Sequence, residues 1–246
     1  MARLPPILDA LESFHGRQAA SWPTEPYPFL IWWHCGYPAS EERCTRGWDS
    51  LNAETDIAPE KLLAVPSAKL ARALKPGGMI PELRAERLKL IAKRMRSQGD
   101  LRAALTELSP QGARALLKKF PGIADPGADR ILLFARVAPI AAVPSSCPQV
   151  AVRIDSGREA DNYAAEYRES QRILESQVAP TFEARARAYL LLLRHGQEVC
   201  KRTGPLCDTC SIAKSCAFFS PARGQRTGAP RGRVVARGPT RKNPSS

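Results

Sequence analysis

Apolar residues recur at the spacing of an α-helix along most of the chain, and no segment alternates apolar and polar residues as a β-strand does. The pattern predicts an all-α fold, with helices over residues 7–14, 41–51, 59–65, 81–95, 113–120, 128–137, 159–177 and 181–200. A dense apolar run at 30–33 is expected in the core. In the helix over 81–95, basic residues such as Arg84 are expected mostly outside a buried face that contains Leu83, Leu88, Leu90 and Ile91.

A helical hairpin is predicted between residues 109 and 137. Ser109-Pro110 is a helix start, since a capping side chain precedes a proline in the first turn. Pro121-Gly122 interrupts the helical pattern, and Asp125-Pro126 repeats the start signal, with Asp125 as the expected cap. The sequence therefore predicts two apolar helices joined by a Pro-Gly turn.

The charge balance favours an anionic partner. The chain has 246 residues, a net charge of +13 and a pI of about 9.8. Such an excess is typical of proteins that bind nucleic acid and sometimes of those that bind membrane surfaces. The alternative is a soluble protein with a basic tail, because residues 220–246 carry seven Lys and Arg and no acid. We expect this Gly- and Pro-rich tail to be disordered.

No apolar stretch is long enough to span a bilayer, and the first residues lack the apolar region of a secretory signal. We therefore expect a cytoplasmic protein, associated with the nucleoid if the cell is bacterial. In a reducing compartment, clustered cysteines indicate a metal site before they indicate disulfides.

Four of the seven cysteines form one motif. Cys200, Cys207, Cys210 and Cys216 have the spacing C-x6-C-x2-C-x5-C. Four thiolates on a short loop can bind zinc or a cubane iron–sulfur cluster. Zinc sites more often use two C-x2-C pairs, so the single pair with longer flanking gaps favours a 4Fe-4S cluster. The other three cysteines are scattered, and Cys35 is expected in the core.

The cysteine spacing after a long helix, together with the hairpin turn from Phe120 to Ile123, resembles the endonuclease III branch of the helix-hairpin-helix DNA glycosylases. The resemblance extends from about Pro28 to Phe219. It implies a bilobed fold that binds double-stranded DNA in a groove and flips out a damaged base. In that arrangement, residues 26–140 form a six-helix barrel lobe with the hairpin, and residues 141–219 form the lobe with the cluster. Residues 1–25 supply a helix and a connection that pack on the cluster lobe.

The resemblance also implies which residues bind DNA. Glycine in the turn lets the backbone approach DNA, and the N–H groups at the start of the next helix can bind a phosphate. The family's second hairpin glycine is Ala124 here, which we expect to weaken the approach. The expected DNA-binding residues are Lys118, Lys119, Gly122, Ala124, Lys201 and Arg202. The alternatives are an ordinary helical hairpin and cations that offset the charge of the cluster or are merely solvated.

The usual catalytic residues of the resembled family are missing. Active members use a lysine shortly after the hairpin glycines and an aspartate at the start of a later helix. Threading without gaps puts these positions on Pro126 and Pro144, which supply neither a nucleophile nor a charge. Asp129 is a weak substitute that could face the groove, although a structural role is the simpler expectation. We therefore predict no catalytic residue.

Nearby carboxylates and histidines do not alter this prediction. Asp155 is expected at the surface, and Ser145 or Ser146 is expected to cap the helix that follows Pro148. The three histidines are isolated in the sequence and are expected to pack or to be exposed.

Three functions are compatible with these motifs and this charge. The first is a monomeric, non-catalytic 4Fe-4S protein that binds damaged or distorted duplex DNA, as in base-excision repair. The second is an active glycosylase that uses displaced residues. The third is an iron–sulfur redox protein, which the net charge of +13 and the hairpin disfavour. The two prolines favour the first.

Overall fold

The computed structural model describes residues 3–219, and over this range the chain is helical with no β-strand. The predicted all-α fold is confirmed. The helices are α1 (Leu4–His15), α2 (Pro26–Gly36), α3 (Glu41–Thr55), α4 (Pro59–Ala64), α5 (Ser67–Leu74), α6 (Pro81–Gln98), α7 (Leu101–Thr106), α8 (Pro110–Leu117), α9 (Asp125–Phe134), α10 (Gln149–Asp155), α11 (Tyr163–Gln177) and α12 (Phe182–Glu198). Short 3₁₀ turns follow α5 and occur twice in the cysteine loop.

Several helices begin where their sequences predict. The side chain of Ser109 accepts a hydrogen bond from the Gly112 N–H at 3.2 Å, which confirms the predicted cap of α8. Asn162 and Thr181 cap α11 and α12 in the same way. These side chains satisfy N–H groups that the first turn of a helix leaves without partners.

Two predicted caps are wrong. The N-cap of α9 is Ala124, so Asp125 is already the first helical residue and Pro126 the second. The N-cap of α10 is Pro148, and no side chain caps that helix. Neither Ser145 nor Ser146 has the predicted role.

The apolar helix α2 lies at the centre of the packing. It contacts α3, α6, α7 and α9, and most of its residues are buried. A second set of contacts joins α12 to α1, α9 and α10, while α10 also packs against α11. The buried apolar side chains form one continuous core.

Arg84 is buried, which corrects the predicted face of α6. Its guanidinium donates to the backbone carbonyls of Cys35 at 3.0 Å and Gly36 at 2.9 Å. These carbonyls belong to the last turn of α2, where helix geometry leaves them without intrahelical donors. Leu83 and Leu90 are instead exposed, although Leu88 and Ile91 are buried as predicted.

The sequence also predicts no membrane-spanning stretch and a disordered C-terminal tail. No helix within residues 3–219 has the length and apolar character needed to cross a membrane. The predicted disorder of residues 220–246 lies outside the described residues.

We expect Gly77→Ala to lower the free energy of unfolding by about 1–3 kcal/mol or more, because overpacking forces the backbone to move. A Cβ atom at Gly77 would lie 1.6 Å from the Cys35 carbonyl oxygen. Urea denaturation measures the change. Gly112→Ala is the control, since its Cβ would meet its nearest neighbours at 3.4 Å inside a helix that favours alanine. Equal stability of the two variants would contradict the close packing at Gly77.

Candidate nucleic-acid interface and cysteine loop

The four motif cysteines line one cavity at the end of α12. Its other walls are mainly apolar and include Ile154, Val199, Leu206, Ile212 and Phe218. Within residues 3–219, no group of three or more His, Cys, Asp and Glu side chains is arranged to hold a metal ion. The structure therefore brings the four cysteines to one cavity without forming a single-ion site.

Burial makes thiolates unfavourable in this cavity unless a cation compensates. It raises the pKa of Cys200 to about 11 and also raises the pKa values of Cys207 and Cys210. Metal binding requires deprotonated thiols and supplies the compensating positive charge. Four soft donors in an apolar cavity therefore have the chemistry that an iron–sulfur cluster or zinc requires.

Arg153 on α10 braces the cysteine loop. Its guanidinium lies 3.6 Å from Cys200 Sγ and donates to the backbone carbonyls of Lys201 at 2.8 Å and Arg202 at 3.0 Å. The same side chain pairs with Glu159 and stacks over the ring of Phe218. This buried cation fixes the loop from α10 and lowers the pKa of Cys200 against the effect of burial.

Two histidines that the sequence treats as isolated meet beside the loop. The rings of His15 and His195 are joined by a 3.1 Å contact, and His195 Nε2 lies 3.6 Å from Cys210 Sγ. Burial lowers the pKa of His195 to about 4. Burial also lowers the pKa of His15, against the raising effect of the neighbouring Glu198 carboxylate.

The hairpin turn between α8 and α9 has the predicted form. Phe120 and Ile123 are buried and anchor it, while Gly122 is exposed with φ +67°, a region that favours glycine. Ala124 has φ −110° and ψ −176° and is exposed. Because any residue adopts that extended conformation, alanine at the second position does not distort the turn.

His34 holds the hairpin turn against α2. Its ring nitrogens lie 2.8 Å from the Leu30 carbonyl oxygen and 2.7 Å from the Pro121 carbonyl oxygen. Burial lowers the pKa of His34 to about 4, although both carbonyls raise it. A Cβ atom added to Gly122 would lie 3.2 Å from His34 Nε2 and 3.4 Å from the Arg87 guanidinium.

An open cavity of about 300 Å³, which we call the hairpin cavity, lies beside this turn. Its lining includes Gly122, Arg87, Tyr37, Met79 and Ile80. The Met79 and Ile80 side chains are 82 % and 55 % exposed, and Ile80 has φ +54°. A β-branched residue in the left-handed region is strained, so this apolar surface is held outward against a local cost.

A second cavity of about 250 Å³, the central cavity, lies between the start of α3 and α12. Tyr37 and Pro38 line both cavities, and the Tyr37 ring stacks on Trp33 at 3.6 Å. The polar groups of the central cavity are Ser40, Glu41, Arg130, Ser145, Ser146 and Gln197. Glu41 accepts hydrogen bonds from Arg130 at 2.7 Å and from Ser21 at 3.1 Å.

The predicted DNA-binding cations lie in two regions, and two of them have acidic partners. Lys118 pairs with Asp125 at 2.7 Å beside the hairpin, and Lys119 is exposed there. In the cysteine loop Lys201 is exposed, whereas Arg202 pairs with the buried Glu166. The ion pairs reduce the charge that Lys118 and Arg202 can offer to a phosphate.

Asp129 is fully buried in α9, away from solvent. Its carboxylate accepts from Arg114 at 2.6 Å, Tyr167 at 2.9 Å and Gln171 at 3.0 Å. Desolvation raises its pKa, while the Arg114 charge and these three donors lower it. With each oxygen accepting from at least one of these groups, the carboxylate joins α8, α9 and α11.

The two prolines at the family's catalytic positions and the nearby Asp155 lie in helices or beside the central cavity. Pro126 is partly buried in the first turn of α9, and Pro144 is buried directly before the cavity-lining Ser145 and Ser146. Asp155 is 8 % exposed and accepts from Gln177 at 2.8 Å, so the predicted surface position is wrong.

Sequence reasoning missed Tyr37, Glu41, Met79 and Arg87. Met79 and Ile80 had a detectable signal, since two apolar residues stand between Gly77-Gly78 and the proline that starts α6. Such residues in a turn have no helical face to bury. Tyr37, Glu41 and Arg87 had no such signal, because their neighbours in the site come from distant segments.

Comparisons with known proteins identify the class of fold. No family model and no curated protein matches the sequence. Among solved structures, a non-covalent endonuclease III–DNA complex matches with TM-score 0.71 and 18 % identity over 91 % of this chain and 97 % of that one. A thermostable thymine-DNA glycosylase matches with TM-score 0.65 and 18 % identity over 87 % and 95 % of the two chains. The H. pylori 3-methyladenine DNA glycosylase MagIII, bound to 1,N6-ethenoadenine, matches with TM-score 0.58 and 19 % identity over 78 % and 96 %.

The chain therefore has the fold of the helix-hairpin-helix DNA glycosylases. The endonuclease III match spans nearly the whole length of both chains, so the resemblance predicted from the sequence is confirmed at the level of the fold.

Folding stability is expected to depend on the titration of His34. Its pKa is about 4 in the folded chain and 6.5 for the free side chain. Between these values the unfolded state binds the proton and the folded state does not, so stability is lost as the pH falls below 6.5. Relative to His34→Gln, the natural chain should lose about 2 kcal/mol between pH 7 and pH 5. Denaturation curves at several pH values measure this, and parallel losses in the two proteins would contradict it.

Proposed function

We propose that the protein binds damaged or distorted duplex DNA across the hairpin cavity and does not catalyse base removal by the usual lysine and aspartate. The observation that carries the proposal is the surface around Gly122. There an exposed glycine turn, the Arg87 guanidinium and the outward Met79–Ile80 pair share one open cavity. The glycine turn and Arg87 can contact the DNA backbone, and the neighbouring Met79–Ile80 pair can contact a base step.

The hairpin supplies the contact with a phosphate. Gly122 allows the backbone to come close to a strand, and no side chain caps the first N–H groups of α9. Arg87, which lines the cavity, and the exposed Lys119, which precedes the turn in sequence, add positive charge. The alanine at position 124 is compatible with this role, because its conformation is extended.

The Met79–Ile80 pair supplies an apolar wedge. Exposed apolar side chains can insert between base steps and stabilise a kinked duplex, at the cost of unstacking. That cost is smallest where the DNA already lacks a stable base pair. The wedge therefore favours distorted sites over regular duplex, and the Tyr37 ring is available to stack on an exposed base.

The cysteine loop supports a 4Fe-4S cluster held by Cys200, Cys207, Cys210 and Cys216. The four cysteines line one cavity. Their spacing, with one C-x2-C pair and longer flanking gaps, favours a cubane cluster, in which each thiolate binds a different iron, over a zinc site. When bound, the cluster would order the loop from Cys200 to Cys216.

The remaining elements of the proposal follow from charge and sequence. The protein would act on DNA in the cytoplasm or nucleoid as a monomer, in a repair setting. The lobe boundaries that we propose are those of the sequence, with residues 26–140 forming the hairpin lobe and residues 141–219 the cluster lobe. Lys201 could contact a phosphate, whereas Arg202 would first have to leave Glu166.

An active glycosylase is the second candidate, and Glu41 favours it. This carboxylate lines the central cavity, which is polar at Ser145 and Ser146. A flipped base would enter such a cavity. Against this role, Arg130 and Ser21 already donate to the Glu41 carboxylate.

The proposal predicts that the protein binds duplex DNA but does not release a base from it. Full-length protein, purified without oxygen and shown to contain four iron and four sulfide per chain, is titrated with an undamaged duplex and with an abasic-site duplex. We expect the logarithm of the affinity to fall linearly with the logarithm of the salt concentration, and the affinity to be about tenfold higher for the abasic duplex. Base release and borohydride trapping on a panel of lesion duplexes should both be absent.

Matched variants identify the surface and the missing chemistry. Met79→Ser should remove the preference for the abasic duplex, whereas Leu90→Ser, another exposed apolar change, should not. Pro126→Lys with Pro144→Asp should restore some trapping if the scaffold still aligns the substrate. Base release by the natural chain would overturn the non-catalytic proposal, and its loss in Glu41→Gln would support the second candidate.

A further inference from the structure

A line of three side chains connects the cysteine loop to the protein surface. His195 Nε2 lies 3.6 Å from Cys210 Sγ, and His195 Nδ1 lies 3.1 Å from His15 Nε2. His15 Nδ1 lies 3.1 Å from the carboxylate of Glu198. The Glu198 side chain is 42 % exposed, so the line ends in solvent.

Both imidazole rings are buried, and two distant segments bring them together. His195 is 1 % exposed, and the His15 side chain is 2 % exposed. His15 ends α1, His195 lies in the last turn of α12, and these helices pack against each other. The His195 carbonyl also accepts from the Cys200 N–H at 2.7 Å, which fixes this residue to a second motif cysteine.

When Cys210 is a thiolate, the hydrogen bonds along this line can run in only one donor-to-acceptor direction. A thiolate accepts and cannot donate, so His195 Nε2 must carry the hydrogen that faces it. His195 Nδ1 then accepts, and His15 Nε2 donates to it. A carboxylate also only accepts, so His15 Nδ1 donates to Glu198. With both ring hydrogens in place His15 is a cation despite its burial, and it shares the Glu198 carboxylate with Arg194.

We propose that His195 is a positioning residue for the cluster, donating a hydrogen bond to the Cys210 thiolate in a tautomer fixed by His15 and Glu198. This inference rests on the 4Fe-4S cluster of the proposed function. A donor at a ligand sulfur stabilises the more negative, reduced state of a cluster and so raises its reduction potential. Glu198 acts on the cluster only through the two rings.

Glu198→Gln tests the line at its exposed end, where substitution leaves the core intact. Without the carboxylate, His15 loses the positive charge that polarises the His195 ring, so the Nε2 hydrogen bond to the Cys210 thiolate weakens. The one-electron potential measured by voltammetry should therefore fall, by about 59 mV if the reduction equilibrium changes tenfold. A simple charge effect has the opposite sign, because removing a negative charge raises the potential.

Three further proteins complete the test. His195→Phe should lower the potential in the same direction, and adding Glu198→Gln to it should cause no further fall. Glu183→Gln is the matched control, because it removes the same charge at the other end of α12, roughly 22 Å away. It should leave the potential unchanged. Resonance Raman spectra should show a higher Fe–S(Cys) stretching frequency in Glu198→Gln, because a weaker hydrogen bond to the sulfur strengthens that bond.

The outcomes separate this inference from the proposed function. A natural chain without iron and sulfide overturns both. A cluster whose potential rises or stays constant in Glu198→Gln overturns the hydrogen-bond line and leaves the cluster proposal standing. A fall in Glu198→Gln and His195→Phe, with no change in Glu183→Gln, supports the line.

Discussion

The hydrogen bonds of the buried Arg84 guanidinium are the interaction on which the hairpin cavity, the proposed DNA-binding surface, depends. The guanidinium holds the last carbonyls of α2 close to Gly77, at a separation that leaves no room for a Cβ atom. On one side of this junction the chain leaves α2 at Tyr37, and on the other it leaves the Gly77 turn at Met79. A single buried cation therefore holds together the two segments that place the Tyr37 ring and the exposed Met79 side chain in one cavity.

Other buried polar side chains also hold loops rather than fill the core. His34 anchors the hairpin turn, Arg153 anchors the cysteine loop, and Asp129 ties the hairpin helices to α11. Burying such groups costs free energy unless they are hydrogen-bonded. Arg153 and Asp129 each have several partners, and the neutral His34 ring can donate to one of its two neighbouring carbonyls. His34 and Arg153 thus fix irregular backbone, namely the hairpin turn and the cysteine loop, which are the segments that the proposed function uses.

The elements that the sequence predicts are those set by local rules. The helices, the cap at Ser109 and the hairpin turn depend on neighbours a few residues apart, and the cysteine motif lies within one short loop. By contrast, Arg84 was expected outside the buried face because its partners lie 48 and 49 residues away in sequence. The contact between His15 and His195 could not be predicted either, because the two residues are separated by 180 residues in sequence. Asp155 was expected at the surface because its partner, Gln177, comes from a different helix.

Hydrogen exchange on the cluster-loaded chain, with and without an abasic-site duplex, tests most directly whether the hairpin cavity is the DNA interface. Amide exchange reports which backbone segments become protected when a ligand covers or orders them. We expect slower exchange at residues 77–80 and 118–128, with Met79 and Gly122 in the protected segments. Binding that leaves both segments unprotected, while slowing exchange elsewhere in the chain, would contradict it.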